Sequence, residues 1–523
     1  STDTKQGKPM FTHIHLRFVA VIALALGPSL QTAVASEQSA LPTAEVINKA
    51  ARESLREFVD LLALPNDAIV PEDIRKNVDW LEAAFKKRGF ATRQLSNGGK
   101  PMLFAEYPSK NPDSKTILFY MHLDGQPVIP EQWSQESPWN AVLKQRNAKG
   151  QWEPIDINRL YGEELDRDWR VYARSASDDK GPIMMFLAAM DALKAAGMEP
   201  ALNIKVLLDS EEEKGSPSIG TVAKSTRDEL RADAMIVNDG PKHASERPTL
   251  VFGNRGVADV TLIMHGPKSS LHSGHYGNYV PNPAMRLATL LASMKDDEGR
   301  VTIPGYYDRV KLTDAERKVM AEVPDDEAAL KLRLGIAKPE RVGSNLQEAV
   351  QYPSLNIQGM AAAAIGEKAA TIVPSRAQAE LDLRTTPEAP PEYLFNLVEK
   401  HVISQGYYLA KGEPTDAERA KYDKIATLTL NGGTNAAYTP LDSPLGAWAS
   451  TVLEKTFDSQ PVVIRLMGGT VPTDKLADAL GMPFVIIPLV NVDNNQHSFD
   501  ENLRIGHYLD GVKTFLGLMQ TAY

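Results

Sequence analysis

Residues 203–213 read "NIKVLLDSEEE". An apolar run of strand length stops at Asp209, and Glu211, Glu212 and Glu213 follow at once. Adjacent like charges repel, so the stretch is either a solvated turn or a place where something positive holds carboxylates together. Two more runs have the same form: "TILFYMHLD" (116–124) and "DAMIVNDGP" (233–241) are short, apolar and end in histidine or acidic residues. Among these runs lies "PIMMFLAAMDALKAAG" (182–197), a helix closed by Gly197. Strands alternating with helices predict an α/β fold, a mainly parallel sheet with helices on both faces. Such sheets bind ligands outside the carboxyl ends of their strands, which is where the histidine and acidic residues collect.

Outward from this centre the pattern holds and then changes. "AEVINKAARESLREFVDLLALP" (44–65) and "RKNVDWLEAAFKKRGF" (75–90) carry apolar residues at helical spacing, stopped by Pro65 and Gly89. After Pro248, "TLVFGNRGVADVTLIMHG" (249–266) alternates like an antiparallel strand, and "ATIVPSRAQAELDLRTTP" (370–387) reads as two more strands. The segment from about Asp296 to Ser344 is charge-rich and weakly patterned. "LGAWASTVLEKTF", "PFVIIPLVNV" and "GHYLDGVKTFLGLMQ" then return to the first texture. The simplest account is an α+β domain over 248–437 inserted into an α/β domain whose parts are 36–247 and 438–523.

With 523 residues the chain exceeds the size at which one core stops growing. A hydrophobic fraction of 43% and a charged fraction of 24% are ordinary for a globular protein. The formal charge of −10 disfavours a nucleic-acid partner. There is no cysteine, so disulfides, thiolate metal sites and a cysteine nucleophile are excluded. Near the start, "HIHLRFVAVIALALGPSLQTAVASEQ" (13–38) has a basic Arg17, an apolar run and the small-x-small triplet Ala33-Val34-Ala35. This is the pattern of a secretory signal over residues 1–35, cleaved after Ala35, and it predicts a secreted or periplasmic protein. The apolar run is too short for a bilayer span, and no other segment is expected to cross a membrane.

The strand ends supply a ligand set. His122 and Asp124 come from "YMHLDGQPV", Asp178 and Asp179 from "ARSASDDKGP", Glu212 and Glu213 from the opening stretch, Asp239 from "IVNDGP", and His497 from "DNNQHSFDEN". Each has an unremarkable reading alone; "SDD", for instance, is a good helix N-cap. Together they are two imidazoles and several carboxylates with no thiol, a set that suits Zn²⁺, with Mn²⁺ or Co²⁺ as alternatives. Two ions fit better than one, because a single ion would leave carboxylates uncompensated. Cations between the carboxylates would relieve the repulsion in the glutamate run.

In this order the residues resemble the di-zinc metallopeptidase family of carnosinases, aminoacylases, glutamate carboxypeptidases and succinyl-diaminopimelate desuccinylases. That family shows H-x-D after a strand, an R-G-x-x-D-D/N-K-G turn, E-E-x-G-S, an acidic residue after a strand, and a late histidine. The resemblance covers essentially the whole chain after the signal. It implies that His122 and Asp239 bind one ion, Glu213 and His497 the other, and that Asp178 bridges them. It makes Asp124 the residue that orients the His122 ring, Glu212 the general base, and Glu211 a solvated bystander. The reaction implied is metal-assisted amide hydrolysis, Glu212 taking a proton from water and returning it to the leaving amine.

"SSLHSGHYGN" (269–278) resembles the stretch whose histidine reaches across a dimer interface to the oxyanion, which assigns that role to His272. "LDLRTTP" resembles the strand whose arginine binds the substrate carboxylate, here Arg384, and "MGGTVP" places Thr470 beside it; Thr371 of "ATIVP" is a candidate of the same kind. Ala173 and Ser175 stand where the family has glycines, and the chain between Pro130 and Trp169 is long. The expectation is a homodimer, joined through a lid domain over 248–437, that cleaves dipeptides or short peptides with a free C-terminus, with the HSG and ELDLR-type stretches tilting toward the carnosinase-like branch. An N-acyl-amino-acid amidohydrolase, and a metal-free binding protein of the same fold, are the alternatives.

Overall fold

Strand Thr116–His122 has a buried side chain at every position after the first. Its alternate residues serve two cores: Ile117, Phe119 and Met121 face one hydrophobic cluster, and Leu118 and Tyr120 the other. A strand buried on both faces cannot alternate apolar with polar, which is why the run reads as continuously apolar. The computed structural model describes residues 41–523, so the signal sequence expected over 1–35 lies outside the described residues.

Thr116–His122 lies within an eight-stranded sheet. The strand order is 91–95, 102–107, 203–209, 116–122, 234–237, 484–486, 249–251 and 462–464. The four strands around its centre, 203–209, 116–122, 234–237 and 484–486, run parallel to one another. The hairpin Ala91–Leu95/Met102–Tyr107 adds an antiparallel edge. Helices Ala44–Leu62, Lys180–Ala195 and Ile505–Gln520 contribute to the core on one face. Ile219–Ser225 and Thr473–Leu480 contribute to that on the other. Among the described residues no helix is long and apolar enough to cross a membrane.

A second sheet has five strands in the order 354–361, 376–385, 256–265, 425–434 and 408–409. It is antiparallel except where the last two strands meet. One face packs on helices Pro283–Ala292 and Pro391–Ser404 through Leu287, Leu290, Leu394 and Val398. Strand Gly256–His265 accordingly alternates buried with less buried positions. Thr249–Val251, grouped with the inserted region on sequence texture, instead pairs within the large sheet. The chain passes between sheets around Gly253–Asn254, which pairs with Ala437–Tyr438. The long stretch before Trp169 forms strands Val142–Arg146 and Trp152–Ile155 of a small antiparallel sheet. The weakly patterned segment 296–344 holds two short helices, Asp314–Ala321 and Glu327–Leu334, capped by Thr313 and Asp326.

Candidate metal centre

His122 ends its strand directly opposite Asp209 in the parallel register. Its Nδ1 lies 3.1 Å from the main-chain oxygen of Asp124, an acceptor for an Nδ1 proton; with that proton held there, Nε2 can act as a ligand once it gives up its own. Nε2 lies 2.8 Å from Asp178 Oδ1 and 3.9 Å from Asp239 Oδ2. The other oxygen of Asp178, Oδ2, lies 3.0 Å from His497 Nε2, and that nitrogen lies 3.2 Å from Glu213 Oε2. Donor atoms of His122, Glu212 and Asp239 fall within 4.8 Å of one another, and so do those of Asp178, Glu213 and His497.

Asp124 meets the His122 ring, as the resemblance implies, and has a second part as well. His122 Nδ1 faces both the main-chain oxygen of Asp124, at 3.1 Å, and its carboxylate Oδ1, at 3.4 Å. The carboxylate itself accepts from the main-chain N–H groups of Glu212 at 3.0 Å and Glu213 at 3.1 Å. One buried side chain thus pins the turn that presents both glutamates. Glu211 departs from expectation. It is 6% exposed, paired with Lys100 and hydrogen-bonded by Asn97 Nδ2 at 2.9 Å, so it is no solvated bystander. The sequence hid this because Lys100 is remote in the chain.

Asp178 and Asp179 do not cap the following helix with their side chains. Asp179 Oδ2 accepts from the main-chain N–H of His122 at 3.1 Å, and its Oδ1 is buried without a partner. The Asp178 turn is gathered by Glu501, which is 1% exposed. Glu501 accepts from the N–H groups of Ser175, Ser177 and Asp178, each at 2.9 Å, and from Arg174 Nη1 at 2.8 Å. Sequence reasoning passed over Glu501, although it lies four residues after His497; a carboxylate that near a ligand, in the same polar loop, was the available signal. Ser175, standing where the family has glycine, takes a left-handed φ of 62° that glycine adopts freely. Its N–H bond to Glu501 helps hold it there.

Burial, reinforced by neighbouring carboxylates, raises the acids of this cluster. It pushes Glu213 up to about 8 and Asp239 up to about 6, with Asp178 the next cause in both. Burial also moves Glu212 well up. Asp178 goes the other way: burial would raise it, but hydrogen bonds from His122 and His497 hold it below the usual range. The hydrogen bond to Asp178 is the main reason His497 rises to about 9. Two imidazoles thus face four carboxyl groups, too little positive charge to keep all four ionised in a buried site. Divalent cations would make up the deficit, and an all-oxygen-and-nitrogen donor set fits them.

A cavity of about 790 Å³ opens over these residues. Asp178, Glu212, Asp239 and His497 border it, and so do Arg384 and Thr470. Arg384 Nη1 donates to Thr470 Oγ1 at 3.1 Å, and Thr470 Oγ1 donates to the main-chain oxygen of Arg255 at 2.8 Å. His272 and Thr371 are not brought to this cavity. Both are exposed and lie at a small two-stranded ladder, where the Ser273 N–H donates to the Thr371 oxygen at 2.9 Å. Helix Glu327–Leu334 lines the cavity instead, a wall that its sequence did not announce.

A family model described as peptidase family M20/M25/M40 matches residues 118–521. The chain is 24% identical over 505 residues to the Cys-Gly metallodipeptidase dug1 of Schizosaccharomyces pombe, spanning 90% of this chain and 96% of that one. It is 26% identical to the Beta-Ala-His dipeptidase of Mus musculus, with 83% of each chain covered. Among solved structures, an M20 family metallo-carboxypeptidase from Sulfolobus solfataricus superposes with a TM-score of 0.70 at 27% identity, covering 90% of this chain and 98% of that one.

Proposed function

The chain belongs to peptidase family M20/M25/M40 and is a metal-dependent peptidase, and from that premise we propose that it hydrolyses dipeptides and short peptides with a free C-terminal carboxylate. The observation that carries this reading is Asp178, whose two oxygens face His122 and His497 separately at the floor of a cavity that also holds Arg384 and Thr470. The residues suited to hold one divalent ion are His122 and Asp239, with Glu213 and His497 for a second and Asp178 between them; Zn²⁺ is the ion proposed. Bound there, such ions supply Lewis acidity, which polarises a carbonyl and lowers the pKa of water.

The chain's own groups do the rest. Glu212 borders the cavity as a general base, accepting a proton from the attacking water and passing it to the departing amine nitrogen. Arg384 and Thr470 hold the substrate carboxylate, Arg384 through a charge-assisted fork. Asp124 keeps Glu212 and Glu213 in register through their main-chain N–H groups. His272, exposed on the inserted region, is proposed to complete the site of a second copy in a homodimer and to stabilise the oxyanion there.

Glu212→Gln should lower kcat on a plain dipeptide by roughly 10²–10⁴-fold with bound metal unchanged. Glu213→Ala should lose metal as measured by elemental analysis. Chelation should abolish turnover, and Zn²⁺ should restore it. Undiminished turnover in Glu212→Gln would refute the choice of base. A preference for acetyl-amino acids over dipeptides would refute the choice of substrate.

A further inference from the structure

The cavity is lined by more than the residues of its metal end, and the insertion supplies part of that lining. Helix Glu327–Leu334 has no buried residue, so it is not held by a core of its own. It is fastened from its N-terminal side. Asp325 Oδ1 lies 2.9 Å from His243 Nε2, Asp325 Oδ2 accepts from Gln347 Nε2 at 2.8 Å, and the Asp326 side chain caps the helix at Ala329 N. His243 lies four residues beyond Asp239, so the fastening joins the insertion to the loop that carries that acid.

The helix turns one face to the cavity: Asp326, Ala329, Leu330 and Arg333 all line it, at three-to-four spacing. The same cavity has further apolar lining besides Leu330. Val251 and Ile464 pair in the large sheet, Met467 follows, and Leu346 comes from the segment after the insertion helix. The two acids that the insertion adds to this lining are already engaged, Asp325 with His243 and Gln347, and Asp326 with its own helix. Arg333 stands at the exposed end of the face. A concave, apolar region continuous with a site of perturbed carboxyl groups is a place for a substrate side chain.

We propose that this region is a specificity pocket for a bulky apolar side chain of the peptide substrate, and that Leu330 is its specificity-determining residue. The proposal rests on the dipeptidase reading above. It gives the charge-rich insertion a part in selecting among peptides, together with Val251 and Ile464 of the large sheet.

The test is steady-state kinetics of the zinc-loaded full chain on Gly-Gly, Leu-Gly, Gly-Leu, Asp-Gly and Gly-Asp. At least one leucine peptide should exceed Gly-Gly in kcat/KM by roughly ten- to a hundredfold, the range for methylene groups in a hydrophobic pocket. Leu330→Asp should reduce that ratio by about tenfold or more, chiefly through KM, with metal content and melting temperature near wild type. Should Leu330→Asp fail to fold, Leu330→Ala carries the same test with a smaller drop. Equal turnover of leucine and glycine peptides, a preference for the aspartate peptides, or an undiminished ratio in the Leu330 variants would overturn the pocket. No turnover of any of the five would overturn the dipeptidase reading, and the pocket with it.

Discussion

Glu211, Glu212 and Glu213 are adjacent in the chain, yet they meet three environments. Glu211 pairs with Lys100, Glu212 lies within ligand distance of His122 and Asp239, and Glu213 with Asp178 and His497. Their repulsion is relieved locally for the first and by the proposed cations for the others. A different residue carries a pH prediction. His507 is 4% exposed, its Nδ1 has no partner, and burial together with Lys242 and Arg504 lowers it to about 3 from the ordinary 6.5. The unfolded chain therefore binds a proton on this ring near 6.5, while the folded chain does not until about 3. Stability from this group is complete above 6.5 and falls as pH drops through that window, by about 2 kcal/mol from pH 7 to pH 5. His507→Leu should show a smaller loss of melting temperature between those two pH values, and an unchanged loss would show that the ring does not set it.

At the scale of elements, the turn after Asp209 is fastened on two sides. Asp124 holds it from the neighbouring strand. The loop of the edge hairpin holds it through Asn97 and Lys100 to Glu211, and through the Ser210 hydroxyl to the Lys100 oxygen at 2.7 Å. Removing one partner of a buried ion pair costs about 3–5 kcal/mol, and the 21% exposure of the Lys100 side chain reduces that. Glu211→Ala is expected to destabilise by about 1–3 kcal/mol. It should also weaken Zn²⁺ binding about tenfold, as losses of groups that orient ligands do. Zinc titration and thermal melting would read both, and wild-type affinity in the variant would show that Asp124 alone positions the turn.

For the whole molecule, the proposed homodimer has a visible place to form. Strand Ser354–Ala361 is an edge of the five-stranded sheet, and beyond its first two residues its side chains are exposed. Ile357 at 43%, Met360 at 51% and Ile365 at 89% exposure put apolar area on that side. Exposed edges of this kind invite pairing unless another chain covers them. Light scattering should give twice the 57.3 kDa chain mass, less any cleaved leader. The double variant Met360→Asp, Ile365→Asp should give a monomer with reduced turnover, since His272 would lose the site it is proposed to serve. A wild-type monomer with full activity would contradict both the dimer and that role.

The α/β core and most of the candidate site were legible from the chain alone, for a physical reason. Strands buried on both faces must be apolar throughout, so "TILFYMH" and its parallel neighbours declare themselves, and the polar residues just past their ends stand out against that background. The roles of His122, Asp178, Glu213, Asp239 and His497 came with the ordered resemblance; that they converge is a matter of coordinates. Contacts between remote segments carried no local signature. The pairing of Glu211 with Lys100, the gathering of the Asp178 turn by Glu501, and the seating of Glu327–Leu334 over the cavity each depend on side chains from distant parts of the chain. Periodicity reports which face of an element is buried, and only tertiary packing decides what that face meets.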